Sequence, residues 1–349
     1  MMNSSASYRL RRQDYSLAPR QTALAERTRA FFAEHCDMDR VRAAEPLGFD
    51  PDLWRSFLAS GLADGDGLVD AVLVAEMLGQ AAAPLPFATH TASRRLLNRA
   101  GDSAGDGAGD GGPREPGDPD GAEPVALALR VATGTPQLVP DAATGRRVLA
   151  HTGTGLVLAT SPAPLPHAGT MGAVPQAWWA LDDTVETLTL ATGAPSEALW
   201  RQAVTEWKLL VAANLVGLTQ AALERAVAVA RTRRTLGVPI GTLQGVAFPL
   251  ADVEIAVSGA RNLVRRAAWF LDNEPGHRPE LAAMAYVNAA RTAVAGTTAC
   301  AHVQGGAGYA EGSDAAVLVL RARAWSALAG DPAADLLAIA EALPARVGR

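Results

Sequence analysis

Three arginines and two threonines fall within five residues, Arg231-Thr232-Arg233-Arg234-Thr235, directly ahead of Leu236-Gly237-Val238-Pro239-Ile240-Gly241-Thr242-Leu243-Gln244. A guanidinium is a planar fork of donors that suits phosphate or carboxylate. A turn through Gly237 and Pro239 fixes where such donors point. One reading is therefore an anion site at a corner between two helices. The other is that basic residues in a last helical turn answer the helix dipole. Further along stands His302-Val303-Gln304-Gly305-Gly306-Ala307-Gly308-Tyr309. Adjacent glycines let a backbone approach a bulky ligand closely, and they also serve as a plain interhelical turn. No strand pattern precedes them and the spacing differs from a Rossmann fingerprint. His302 alone reads as a packed or capping histidine as readily as a ligand.

The elements that must position these residues follow from composition and period. The chain has 349 residues, 49% of them hydrophobic, and a net charge of −5. That is enough for two or three modules with real cores, and it argues against a nucleic-acid surface. Cys36 and Cys300 are the only cysteines; they have no metal spacing and indicate no disulfide framework, as in a reducing cytoplasm. No signal peptide and no bilayer-length apolar run is read. The expected localisation is cytoplasmic.

Residues 1–100 read as a helical domain with a loose start at 1–16. Helices are expected over 17–36, from Asp50-Pro51-Asp52 to Leu58, from Gly67 to Pro84, and over 87–100. Residues 101–124 are Gly, Asp and Pro, a linker or long surface loop without core-forming content. Its five aspartates lack calcium-loop spacing, and no metal site is expected. Residues 125–195 switch to short alternating runs at 125–131, 147–151, 155–160, 177–181 and 185–190, a small antiparallel β-domain. There Trp178-Trp179 is either an aromatic wall for a ring or, the preferred reading, ordinary core. From 196 to 349 the pattern is a helix bundle. Ser196 and Glu197 are expected to cap a helix reaching Thr235, with further helices over 242–271, 280–301, 314–328 and 333–343. Gly217 and Ala221 would permit close helix packing. The fold class is α+β.

The two glycine-bearing corners together resemble the C-terminal domain of the acyl-CoA dehydrogenase family. Its first corner reads R-x-x-F-G-x-x-I followed by F-Q; here Arg233, Leu236, Gly237, Ile240 and Gln244 stand at those positions. Its second reads Q-V-H-G-G-x-G-Y/F; here Gly305, Gly306, Gly308 and Tyr309 match, with His302 and Gln304 at the exchanged Gln and His places. The stretch 67–87 is similar to an N-terminal run of actinobacterial members, with the preceding loop cut down to Ala63-Asp64-Gly65-Asp66. The resemblance implies FAD shared between protomers. Arg233 would meet its phosphates and Leu236 and Gln244 the neighbouring flavin or adenosine. His302, Gln304, Gly305 and Gly306 would form a second contact segment.

It also implies α,β-dehydrogenation of an acyl-CoA thioester, with a glutamate as base. The family's spacing puts one common base position at Ala329, which cannot accept a proton. Other members carry the base on the first long helix, where the nearest carboxylate is Glu206; the alternative for Glu206 is a solvated helix-face acid. The flavin-cradling T-E-P-x-x-G-S-D signature is missing from 125–195. A kept corner without a base resembles the smaller, β-type subunits of heterotetrameric α2β2 acyl-CoA dehydrogenases of actinobacteria, as does Leu328-Ala329-Gly330-Asp331-Pro332-Ala333-Ala334 beside their "LFGDPAA" close. The expected function is the base-lacking partner in such a complex, in lipid or polyketide metabolism. Two alternatives stand: a self-sufficient divergent oxidoreductase using Glu206, and a flavin-free scaffold on the same fold. The expected partner is another acyl-CoA dehydrogenase subunit, in a hetero- or homo-oligomer, and no membrane or nucleic-acid partner is expected.

Overall fold

The computed structural model describes residues 16–103, 123–330 and 332–343. Residues 1–15 and nearly all of the Gly/Asp/Pro stretch lie outside the described residues, as does Asp331.

Five helices come first: α1 (Pro19–His35), α2 (Met38–Ala43), α3 (Pro51–Ala59), α4 (Leu68–Gln80) and α5 (Phe87–Ser103). The short α2 was not expected. Asp37 caps it by accepting from the Arg40 amide at 2.8 Å. At α3 the Asp-Pro signal works as read: Asp50 accepts from the amides of Asp52 and Leu53, with Pro51 in the first turn. Helix α4 is buried on nearly every side, because it packs on α1 and on two helices of the bundle.

The strands are β1 (Val125–Leu127), β2 (Gln137–Val139), β3 (Arg147–His151), β4 (Gly155–Thr160), β5 (Ala177–Trp179) and β6 (Glu186–Thr192). They form a four-stranded sheet ordered β1-β3-β4-β6 and a two-stranded sheet of β2 and β5. The expected all-antiparallel arrangement is corrected at one place: β1 runs parallel to β3, pairing Val125 with Arg147. The chain between them makes room for this by passing through β2 and a 3-10 turn at Ala142–Thr144. The tryptophans separate as strand alternation requires. Trp179 is core at 3% exposure, whereas Trp178 is 60% exposed, which corrects the core reading for that residue.

The bundle comprises α6 (Gly193–Thr232), α7 (Gln244–Asn273), α8 (Glu280–Gln304), α9 (Asp314–Ser326) and α10 (Pro332–Ala342). Ser196 is not the cap: α6 starts at Gly193, whose φ of +68° turns the chain out of β6. Ser196 Oγ instead bonds the Gly193 carbonyl at 2.6 Å and lies 3.2 Å from His151 Nε2, tying the helix to the sheet. Trp200 stacks on His151 at 5.5 Å. A Cβ on Gly217 would sit 1.8 Å from the Glu76 carbonyl oxygen, and one on Gly79 2.0 Å from that of Asn214. Helices α4 and α6 therefore cross backbone to backbone, and only glycine permits that approach. On α8 the small residues Ala285, Ala289, Ala290 and Ala293 are buried in the same core.

Candidate functional site

The C-terminus of α6 is stopped by its own sequence. Arg233 leaves helical geometry with ψ at 132°, its amide still bonded to the Val229 carbonyl at 2.8 Å. A two-residue hairpin follows, Arg234–Thr235 pairing with Val238–Pro239. Its loop residues, Leu236 and Gly237, have φ of +50° and +81°. Both positive values belong to the turn type that matches strand twist in two-residue hairpins. Glycine accepts this freely and leucine does not. Leu236 is also 92% exposed. Residues strained in this way cluster at ligand-binding and switch sites. The corner closes when the Ile240 amide donates to the Arg233 carbonyl at 2.9 Å and Ile240 enters the core. Gln244 then opens α7, exposed at its first position.

The second corner ends α8. Gly305 takes φ +68° and ψ −149°, and residues Gly305–Tyr309 wind into a 3-10 turn. A Cβ on Gly308 would strike the Ala301 carbonyl oxygen at 2.4 Å. The two corners meet. Arg233 Nη1 donates to the Gln304 carbonyl at 3.2 Å, and the same nitrogen lies 3.2 Å from where a Cβ on Gly305 would be. This carbonyl belongs to the C-terminus of α8, so Arg233 does answer a helix dipole, although not that of its own helix. Its Nε and Nη2 have no partner among the described residues, and the side chain is exposed. Those donors remain for an anion. His302 and Gly306 are exposed at the same helix end; Gln304 is half-buried and uses its backbone rather than its side chain toward Arg233.

Ala329 lies elsewhere. With Leu328 and Gly330 it lines a cleft of about 390 Å³ facing the β-region residues Leu138, Pro140, Thr170 and Gln176. Among the described residues, the one charged residue lining that cleft is Arg130, and no carboxylate does.

Glu206 is not solvent-facing, which corrects the helix-face reading. It is 1% exposed on α6. Arg95 Nε donates to its Oε2 at 2.8 Å, Arg99 Nη2 donates to Oε1, and Gln202 Nε2 reaches Oε1 at 3.2 Å. Both carboxylate oxygens are committed to donors from α5 and from its own helix. A group so held anchors α5 to α6; it is poorly placed to take a proton from a substrate. The guanidiniums at i and i+4 of α5 were the overlooked signal, since such spacing puts both on one face.

A second polar link at the domain junction was also missed. Trp207 Nε1 donates to Thr89 Oγ1 at 2.8 Å, and Thr89 donates in turn to Asp141 Oδ2. Burial raises the Asp141 pKa to about 6, against the lowering effect of the Thr89 hydroxyl. Nearby Arg321, 1% exposed, bonds the Ala82 carbonyl. Burial lowers its pKa to about 10. The thiols of Cys36 and Cys300 are buried and free, pushed up to about 11 and about 12 by burial.

Residues 199–343 match the family described as acyl-CoA dehydrogenase, C-terminal domain. The chain has the acyl-CoA dehydrogenase fold and resembles that family. Among similar curated proteins, the short-chain specific acyl-CoA dehydrogenase of Sus scrofa is 41% identical over 99 residues, 28% of this chain and 24% of that protein. The cyclohex-1-ene-1-carbonyl-CoA dehydrogenase of Syntrophus aciditrophicus is 39% identical over 102 residues, 29% of this chain and 25% of that protein. The chain thus spans about a quarter of the length of these relatives. Similar solved structures include the ChsE4-ChsE5 complex from Mycobacterium tuberculosis, with TM-score 0.80 and 20% identity. Another is the butyryl-CoA dehydrogenase of Megasphaera elsdenii, with TM-score 0.77 and 18% identity. Both similarities cover 95% of this chain and 99% of the other, and at these identities they speak to fold. Among the described residues no helix is long and apolar enough to cross a membrane.

Proposed function

We propose that this chain is a base-lacking subunit of an FAD-dependent acyl-CoA dehydrogenase, completing the cofactor site together with a catalytic partner subunit. The observation that carries the reading is the hydrogen bond from Arg233 Nη1 to the Gln304 carbonyl, at the head of the Gly305 turn, at 3.2 Å. A dinucleotide pyrophosphate needs fixed cationic donors beside a backbone without side-chain bulk. Arg233 keeps nitrogens free for it, and its bond to Gln304 fixes the direction of the fork. Leu236 and Gln244 would border the ring system or the adenosine. His302, Gln304, Gly305 and Gly306 would form the wall opposite. The bound flavin would supply a hydride acceptor for a β-carbon whose α-proton is taken by a carboxylate.

That carboxylate is what this chain does not offer at the expected place. Ala329 lines a cleft without acids among the described residues, and Glu206 is locked to Arg95 and Arg99. A partner subunit would therefore bring the base and the flavin-cradling loop. Exposed apolar side chains around the corner support such a partner: Leu236, Val238, Leu243, Phe248 and Ile255 are each between 38% and 92% exposed. The likeness in fold to the ChsE4-ChsE5 complex, whose name states two different subunits, is compatible with an α2β2 assembly. The test is Arg233→Ala in the assembled complex. Flavin content should fall while the far-UV spectrum and oligomeric mass stay unchanged, because the side chain is exposed. Undiminished flavin content would remove Arg233 from the site.

A further inference from the structure

A polar pocket built from residues well before that corner in the sequence lies between the loop at 63–67 and one face of α5. Its volume is about 120 Å³, against roughly 30 Å³ for the share of one water in the liquid. At its back stands His90, 3% exposed. Its ring contacts Trp54 edge-on at 4.9 Å. Neither ring nitrogen has a hydrogen-bond partner among the described residues. A buried imidazole without partners is rare in a folded protein and points to a group the pocket is built to receive. Thr91, Arg94, Arg95 and Asn98 line the same pocket, because steps of three and four along a helix share one face.

The donors outnumber the acceptors there. Among the described residues Asp64 is the only acid lining the pocket, and its oxygen is 3.8 Å from Arg94, a long contact between two half-exposed side chains. Arg95 gives Nε to Glu206 at 2.8 Å and has Nη2 3.6 Å from Asp272, which leaves Nη1 without a partner among the described residues. The Arg94 guanidinium, a hydroxyl, an amide and a ring N–H therefore line a space with one peripheral carboxylate among the described residues, while the Arg95 charge is answered by Glu206. Burial and the neighbouring guanidiniums of Arg94 and Arg147 hold the His90 pKa down to about 3, so the empty-handed ring is neutral and donates one N–H.

We infer that this pocket binds a small oxyanion, a carboxylate or a phosphate group, independently of the Arg233 corner. Arg94 supplies the entering charge-assisted contact and His90 the buried end of the seat. An ordered cluster of waters would satisfy the ring but would not answer the Arg94 charge, whose contact with Asp64 is 3.8 Å long.

The test is calorimetric titration of the full chain with inorganic phosphate and, separately, with acetate, at constant ionic strength because exposed pairs are screened by salt. Wild type and three variants are compared: Arg94→Ala, His90→Phe and Arg233→Ala. Losing one charged hydrogen-bond donor should weaken binding by roughly tenfold or more. The expected result is binding to wild type and to Arg233→Ala, weakened in Arg94→Ala and His90→Phe. Acetate or phosphate being preferred tells which oxyanion the seat fits. Arg94 is half-exposed, so its variant folds even where His90→Phe does not. Binding absent from the wild type, binding unchanged by Arg94→Ala, or binding abolished by Arg233→Ala alone would each overturn the inference. The last outcome would leave the Arg233 reading standing, and loss of the pocket's binding leaves that reading untouched.

Discussion

Replacing Glu206 with glutamine separates the two roles a carboxylate can have on the long helix. In the structure it is a 1%-exposed group with both oxygens held, by Arg95 at 2.8 Å, by Arg99 and by Gln202 at 3.2 Å. Glutamine keeps one acceptor and turns the other into an N–H pointed at a guanidinium. Breaking a buried ion pair by removing one partner costs about 3–5 kcal/mol. The arginines here are 28% and 23% exposed and can regain some water, so the lower half of that range applies. With an unfolding entropy of about 2.1 cal/mol/K per residue, a chain of 349 residues carries ~0.7 kcal/mol/K if it unfolds cooperatively. The midpoint should then drop by ~4–6 °C in a calorimetric or circular-dichroism melt. Turnover of the assembled complex, measured well below that midpoint, should stay within about twofold of wild type. An unchanged melting temperature with turnover reduced by about 100-fold or more would refute the anchoring argument and make Glu206 the base.

Three further outcomes follow. Gly305→Ala places a Cβ 3.2 Å from Arg233 Nη1 at a φ of +68°. It should cost about 1–3 kcal/mol and lower flavin retention more than Gly306→Ala does, as read by cofactor release on dilution. Gly217→Ala forces a methyl to within 1.8 Å of the Glu76 carbonyl oxygen; the α4–α6 crossing should open, read as a large loss of melting temperature or of soluble chain. Asp141→Asn bears on pH dependence. The folded-state pKa is raised to about 6, above the ordinary carboxylate value, so the folded form holds more protons between the two values and stability falls as pH rises through that window. Asparagine, which tolerates the residue's φ of +58°, should raise the melting temperature near neutral pH. The gain should fade below about pH 4. An equal gain at both pH values would contradict the shift.

The parts of this molecule legible in its sequence are those governed by local spacing. The bundle helices, the Asp50-Pro51 start and the glycine-mediated packing at Gly217 follow from apolar period, caps and the missing Cβ. Boundaries slipped where tertiary partners decided them: Ser196 looked like a cap and became the tie to His151. The hairpin at Leu236-Gly237 was read only as a turn, because nothing in the residue types announces a leucine at positive φ. The parallel pairing of β1 with β3 depends on a connection through β2 that alternation alone does not reveal. At the site, the joining of Arg233 to the Gly305 turn was readable only by resemblance, since 71 residues separate Arg233 from Gln304. The burial of Glu206 escaped because its neutralising arginines lie on another helix, more than a hundred residues earlier.

The central claim, a cofactor corner that works only with a partner's base and cradle, meets its most direct test in a visible absorption spectrum. The chain purified alone should be colourless and without dehydrogenase turnover, and become yellow and active when co-purified with a catalytic partner subunit. A chain that is yellow and turns over an acyl-CoA by itself would contradict the account.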